Sequence, residues 1–216
     1  MKKRGVSHPE LIPTTSPEYS SRAAAVIGAG GIAAIPTETS YGLAVDPFNT
    51  DALRRLFAIK QRPLAKPVLV LVDSMKSLAR MTPEIPPVYQ SLIKQYWPGP
   101  VTLIFAAREE LPHLLTAGTG TVGARMSSNP VAAEICRCAG GCITATSANI
   151  SGSVSARSTA DIVDYFGDQI DIIVDGGELE ESPGSSIFAN DRDALFCIRE
   201  GVIPFTSVLK GAANKS

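Results

Sequence analysis

Apolar residues along this chain recur in two rhythms, the three-to-four-residue spacing of an amphipathic helix and the short unbroken run of a buried strand. The two alternate from residue 17 onward. Ser16-Pro17-Glu18 offers an N-cap followed by proline at the first helical position, which predicts a helix over 17–28 that Gly28, Gly30 and Gly31 end. Ile32 to Ile35, stopped by Pro36, reads as a buried strand. Leu53, Leu56 and Phe57 repeat at helical spacing behind Asn49 as cap, Val68 to Val72 reads as a strand, Ser74 to Arg80 as a short helix, and 87–96 as an amphipathic helix. Val101 to Ala106 and Thr121 to Met126 are strands, Pro130 opens a helix reaching Ala139, and Cys142 to Ala145 is again strand-like. Ser158 with Asp161 makes a capping box for a helix over 159–166, and Ile170 to Val174, Ser185 to Phe188 and Leu195 to Ile198 complete the set.

The sum is about seven strands and five or six helices in alternation with no internal repeat, which is an α/β sheet covered by helices. Gly-rich turns at 118–123 and 176–184 interrupt the alternation and make a mixed sheet the expectation. Residues 1–15, with Pro9, Pro13 and a Thr/Ser cluster, read as a flexible N-terminal arm, 16–208 as one domain and 209–216 as a tail.

Composition narrows the classes. With 44% hydrophobic and 19% charged residues the chain folds rather than staying disordered, and a net charge of −1 gives no overall signal for nucleic acid or membrane. No run reaches the roughly 18 apolar residues of a membrane span, and the basic start lacks an apolar stretch behind it, so a cytoplasmic protein is expected. Cys136, Cys138, Cys142 and Cys197 lack paired metal-site spacing and read as reduced thiols. The neutral average hides a segregation: residues 54–80 hold seven basic residues and one acid, whereas 161–181 hold eight acids and no base.

Candidate chemistry follows from short motifs. Gly28 to Ala33 has dinucleotide-fingerprint spacing in the wrong context, because Pro36 leaves no room for a helix after the glycines. His8 and His113 are the only histidines, too few and too poorly placed for a hydrolase triad or a metal cluster. In Lys60-Gln61-Arg62-Pro63 the proline favours an extended Arg62, which would put Lys60 and Arg62 on one side about 6 to 7 Å apart, a fit for adjacent phosphates. Lys66 adds a third cation where a loop feeds a strand. The alternative is a solvated basic helix face. Thr37 to Gly42 groups short hydroxyls with one carboxylate, and Thr144 to Gly152 sets Ser147 and Asn149 among small residues; each suits a small polar ligand, and each is also compatible with an ordinary polar turn.

Taken together, IPTETSYGLAVDPFN (35–49), IKQRPLAKPVLVLV (59–72), YWPGPVTLIF (96–105), GTVGARM (120–126) and TATSANISGS (144–153) resemble the YrdC-type threonylcarbamoyl-AMP synthase family, in its short single-domain form. The resemblance spans about residues 17–205. It implies an open twisted sheet around a basic central cavity, and a nucleotidyltransferase that makes L-threonylcarbamoyladenylate and pyrophosphate from L-threonine, bicarbonate and ATP with Mg2+. Downstream proteins would then pass the threonylcarbamoyl group to an adenosine of tRNA. By resemblance Lys60 and Arg62 would be catalytic; Arg62, Lys66, Thr121, Ser147, Asn149, Ser155 and Arg199 would bind ATP; and Thr39, Arg125, Ala145 and Ser185 would bind threonine. Such chemistry brings an anionic carbamate to an anionic phosphate, so it needs cations more than a nucleophile. Ser40 and Leu71 depart from the family pattern, which usually has Val and His there, and SPGSSI (182–187) offers both Ser185 and Ser186. Two other readings are a non-catalytic RNA-binding module on the 54–80 surface, where Phe57 is the only aromatic, and a carbamoyl-adenylate-forming domain of the hydrogenase-maturation type.

Overall fold

A computed structural model describes residues 8–192 and 194–213. The chain runs β1 (Glu10–Pro13), α1 (Tyr19–Gly28), β2 (Ala33–Pro36), β3 (Tyr41–Ala44), α2 (Thr50–Ile59), β4 (Val70–Val72), α3 (Met75–Leu78), α4 (Pro87–Tyr96), β5 (Val101–Ala106), α5 (His113–Thr116), β6 (Thr121–Arg125), α6 (Pro130–Cys138), β7 (Cys142–Thr144), β8 (Thr146–Ser147), α7 (Thr159–Phe166), β9 (Ile172–Asp175), β10 (Ser186–Asp191), β11 (Ala194–Arg199) and α8 (Phe205–Ala213). Helices α2, α3, α6 and α7 begin where side chains satisfy their first N–H groups. Asn49 accepts from Asp51 and Ala52, Asn129 from Val131 and Ala132, and Ser158 with Asp161 closes a capping box.

The strands form two mixed sheets. One has the order β1-β9-β2-β3-β8 and the other β11-β10-β5-β6-β4-β7. The larger apolar cluster draws on both sheets, bringing Leu53, Leu56 and Phe57 of α2 together with Val70, Leu103, Phe105 and Phe188 of the second sheet and Ala34, Leu43 and Ile173 of the first. A smaller cluster holds Ala23 and Ile27 of α1, Ala132 and Ile135 of α6, and Ile35, Leu71, Ile143 and Val174 of both sheets.

What joins the sheets is one stretch of chain. Residues 142–144 pair with β4 in the second sheet, and residues 146–147 pair with β3 in the first. Between them Thr144 N–H donates to Val45 O at 2.9 Å, Thr144 Oγ1 accepts from Val45 N–H at 2.9 Å, and Ala145 N–H donates to Leu69 O at 2.8 Å. Thr144 is fully buried.

Three expectations need correction. The arm is not loose throughout: Glu10–Pro13 pairs in parallel with β9, and Arg22 of α1 reaches the Glu10 carboxylate at 2.6 Å. Pro9 and Pro13 obscured this strand, yet prolines are tolerated there because β1 lies at the edge of its sheet. Residues 1–7 lie outside the described residues. The first helix begins at Tyr19 with Glu18 as N-cap, so Pro17 precedes it and Ser16 Oγ accepts only from Glu18 N–H. The boundary set at 208/209 falls inside α8, which continues to Ala213. Among the described residues no helix is long and apolar enough to cross a membrane.

Thr144→Val keeps the shape but leaves Val45 N–H buried without an acceptor. Urea unfolding should show a loss of about 1–3 kcal/mol with an unchanged m-value.

Candidate active site

Where the two sheets are joined the chain encloses a cavity of about 480 Å³. Its lining comes from five places: the turn and strand Thr37 to Gly42, the loop and strand from Arg62 to Leu71, Ile104 with Thr121 and Arg125 on β5 and β6, the crossing segment 145–147 with Ser155, and the 182–187 stretch with Ile198 and Arg199. Arg62, Lys66, Arg125 and Arg199 are four cations on this wall, and among the described residues none that lines it is Asp or Glu. A low-dielectric pocket with one sign of charge concentrates its field, which suits a polyanion.

Each guanidinium is held differently. Gln61 takes a left-handed conformation (φ +49) at the end of α2, which turns the chain so that Arg62 folds back on its own loop, donating to Lys66 O at 3.3 Å and Pro67 O at 2.7 Å. Arg199 donates to Ser185 O at 2.7 Å and to Ser185 Oγ at 3.2 Å, while Thr102 Oγ1 donates to the same Ser185 Oγ. Arg125 is almost wholly buried, and Glu38 Oε1 lies 3.3 Å from its Nη1. Ser127 Oγ in turn donates to Glu38 Oε2. Burial pulls the Arg125 pKa down, Glu38 opposes that shift, and Arg199 adds to it. Among the described residues the Arg125 guanidinium pairs with Glu38 and makes no hydrogen bond, which leaves its donors available to an anionic ligand.

Hydroxyls fill the space between these cations. Thr39 Oγ1 is 3.3 Å from Thr37 Oγ1, which donates to Ser40 O, and Thr121 Oγ1 is 2.8 Å from Thr119 Oγ1. Ser185 faces the cavity, whereas Ser186 Oγ is committed to Ile203 O and to the N–H groups of Gly201 and Ile203.

Of the residues singled out from sequence, Thr39, Arg62, Lys66, Thr121, Arg125, Ala145, Ser147, Ser155, Ser185 and Arg199 line this one cavity. Lys60 and Asn149 do not. Left-handed Gln61 undoes the expected extended geometry, and Lys60 points inward, 1% exposed, with its Nζ donating to Ser147 O, Asn149 O at 2.8 Å and Asn149 Oδ1 at 3.2 Å. Burial, with a smaller push from Arg62, lowers its pKa to about 7. The other basic residues of 54–80 are dispersed: Arg54 pairs with Asp51, Arg55 with Asp171, and Arg80 stacks on Phe48 at 4.5 Å. Leu71 lines the cavity as an apolar wall beside Leu69 and Ile104. Glu38 and Ser127 were not singled out; the only signal was a lone carboxylate among the hydroxyls of 37–42.

The family model Sua5/YciO/YrdC, described as telomere recombination, matches residues 25–201. The chain belongs to this family. It is 39% identical over 173 residues to the threonylcarbamoyl-AMP synthase of Halorhodospira halophila, a match covering 79% of this chain and 91% of that protein. Pyrococcus abyssi Sua5, solved in complex with L-threonine, superposes with a TM-score of 0.88 at 31% identity over 95% of this chain, which spans 61% of that longer one. HypF of T. kodakarensis matches with a TM-score of 0.74 at 19% identity, over 86% of this chain and 24% of its own, which is a likeness of fold. The two-sheet α/β architecture is therefore that of the Sua5/YciO/YrdC family, and the cavity lies inside the stretch that the family model covers.

The lowered Lys60 pKa has a testable sign. Between about 7 and the ordinary lysine value of 10.5 the unfolded chain binds one more proton than the folded chain, so this residue's contribution to stability grows as pH rises through that window. The unfolding free energy of the wild type, minus that of Lys60→Met, should increase from pH 7.5 to 9.5 with a slope of up to about 1.4 kcal/mol per unit. A difference that falls over this range would mean that the three acceptors outweigh burial.

Proposed function

We propose that this chain is a threonylcarbamoyl-AMP synthase that condenses L-threonine, bicarbonate and ATP into L-threonylcarbamoyladenylate and pyrophosphate. The observation that carries the reading is the cavity's charge: four cations converge without a lining carboxylate in a chain of this family. In the first step the threonine amine attacks the carbon of bicarbonate and water leaves, giving a carbamate. A carbamate oxygen then attacks the α-phosphorus, the bond to the bridging oxygen breaks, and pyrophosphate departs with the electron pair.

Both partners of the second step are anions, so their approach must be made electrostatically favourable. Arg62, Lys66 and Arg199 would neutralise the triphosphate and the leaving pyrophosphate, with Thr121, Ser147 and Ser155 completing the nucleotide contacts. Arg125 would grip the threonine carboxylate, with the hydroxyls of Thr39 and Ser185 and the backbone of Ala145 on the same cavity wall. Glu38, itself held by Ser127, pairs with the Arg125 guanidinium. Fixing both substrates in one pocket supplies orientation, a large part of the barrier reduction for a reaction of this order. The lining offers no carboxylate to hold a divalent ion, so magnesium would enter on the nucleotide's own phosphate oxygens.

The product is a mixed anhydride, which suits a carrier passed on to threonylcarbamoyl-transfer proteins and tRNA in the cytoplasm. An RNA-binding module fits less well, because the cations of 54–80 point to separate places instead of forming one face. A carbamoyl-adenylate activity is distinguished by its substrate, since carbamoyl phosphate would replace threonine and bicarbonate.

Purified protein given ATP, magnesium and bicarbonate should release pyrophosphate only when L-threonine is added, and carbamoyl phosphate should not substitute. Arg62→Ala should lower kcat/KM for ATP at least about tenfold, roughly 1.4 kcal/mol of transition-state stabilisation. Threonine-independent pyrophosphate release, or a wild-type rate in the variant, would contradict these roles.

A further inference from the structure

Lys60 is the one cation of 54–80 classed as buried, and it does not touch the cavity. Its grip is on a loop. The side-chain nitrogen reaches two successive odd-numbered carbonyls, those of Ser147 and Asn149, together with Asn149 Oδ1. The Lys60 carbonyl takes the next odd position, accepting from Ser151 N–H at 2.9 Å. One residue at the end of α2 therefore fastens 147–151 at three points.

Beside this grip, Ser147 pairs with Gly42 of β3, Ala148 N–H donates to Tyr41 O at 2.8 Å and Ala148 O accepts from Ala156 N–H at 2.9 Å, whereas the side-chain bonds beyond Ala148 are local. Ser147 Oγ donates to Asn149 Oδ1 at 2.7 Å and Asn149 Nδ2 to Ser153 O at 2.6 Å, both within the loop itself, while Ser151 Oγ is buried without a partner. Ser147 is the member that lines the cavity. Drawing two carbonyl oxygens inward onto a cationic group also keeps their negative ends out of a pocket shaped for anions.

We propose that Lys60 is a positioning residue, acting on the nucleotide through Ser147 by clamping the 147–151 loop, and that it does not contact phosphate. This rests on the synthase reading for its effect on ATP, but the clamp itself is independent of that reading. Loss of the clamp would loosen the Ser147 hydroxyl and let the loop carbonyls turn toward the triphosphate. Ground-state binding of ATP would weaken, while the step at the α-phosphorus, once ATP is seated on Arg62 and Arg199, would proceed at close to its normal rate.

The test compares wild type, Lys60→Met, Lys60→Gln and Arg62→Met by amide hydrogen exchange of the ligand-free proteins and by the ATP dependence of threonine-driven pyrophosphate release. Lys60→Met should accelerate exchange across 147–153 at least about tenfold and raise the ATP KM at least about tenfold, with kcat within about threefold of wild type. Lys60→Gln, which keeps two donors without the charge, should fall between wild type and Met on both readings, and it carries the test if the Met variant does not fold. Arg62→Met should leave loop exchange at the wild-type rate. Unchanged exchange in the Lys60 variants overturns the clamp. Faster exchange with an unchanged ATP KM, or with kcat as the parameter that collapses, overturns its role in positioning the nucleotide. If wild-type protein releases no pyrophosphate the synthase reading fails, and the exchange data still decide whether Lys60 holds the loop.

Discussion

The architecture depends on one stretch of chain whose two successive strands join the two sheets. Residues 142–144 hydrogen-bond into the six-stranded sheet and 146–147 into the five-stranded one, with Thr144 supplying both a backbone and a side-chain bond to Val45 at the crossing. The cavity lies beside this crossing, and residues just past it, Ala145 to Ser147, form part of its wall. Hydrogen bonding buried in the fold thus sets the site's position, and ligand-facing residues are attached to it.

Charge is sorted by the same geometry. The chain is close to neutral, yet the cavity wall carries four cations and no carboxylate. The acids of 161–181 are used elsewhere: Asp161 caps α7, Asp171 pairs with Arg55 and receives Ile32 N–H, and Glu178 pairs with Arg157. Glu38 is the exception that approaches the site, and it does so from behind Arg125. Its carboxylate lowers the cost of burying a guanidinium and leaves the opposite side of that group for a ligand.

Elements whose cause is local were legible in the sequence. The helices behind Asn49 and Ser158 start where their caps stand, the helix that Pro130 opens starts at that proline, and the unbroken apolar run ending at Val72 is a buried strand. Elements that exist only through partners were not. Glu10–Pro13 is a strand because β9 lies beside it, and Tyr41–Ala44, which followed a polar turn, is one because β2 and β8 flank it. The site divides in the same way. Arg62, Arg125 and Arg199 could be picked out by motif, but the inward turn of Lys60 depends on a left-handed Gln61 that only the assembled loop shows. Glu38 and Ser127 gain meaning only once folding brings the carboxylate to the Arg125 guanidinium and the serine hydroxyl to that carboxylate.

The most direct test is a crystal structure with L-threonine and a non-hydrolysable ATP analogue bound together. The proposed roles predict the triphosphate within hydrogen-bonding distance of Arg62 and Arg199, the threonine carboxylate on Arg125, and the threonine amine facing the α-phosphate with Lys60 still turned onto the 147–151 loop. A threonine carboxylate seated away from Arg125, or a triphosphate bound outside the wall formed by these arginines, would contradict it.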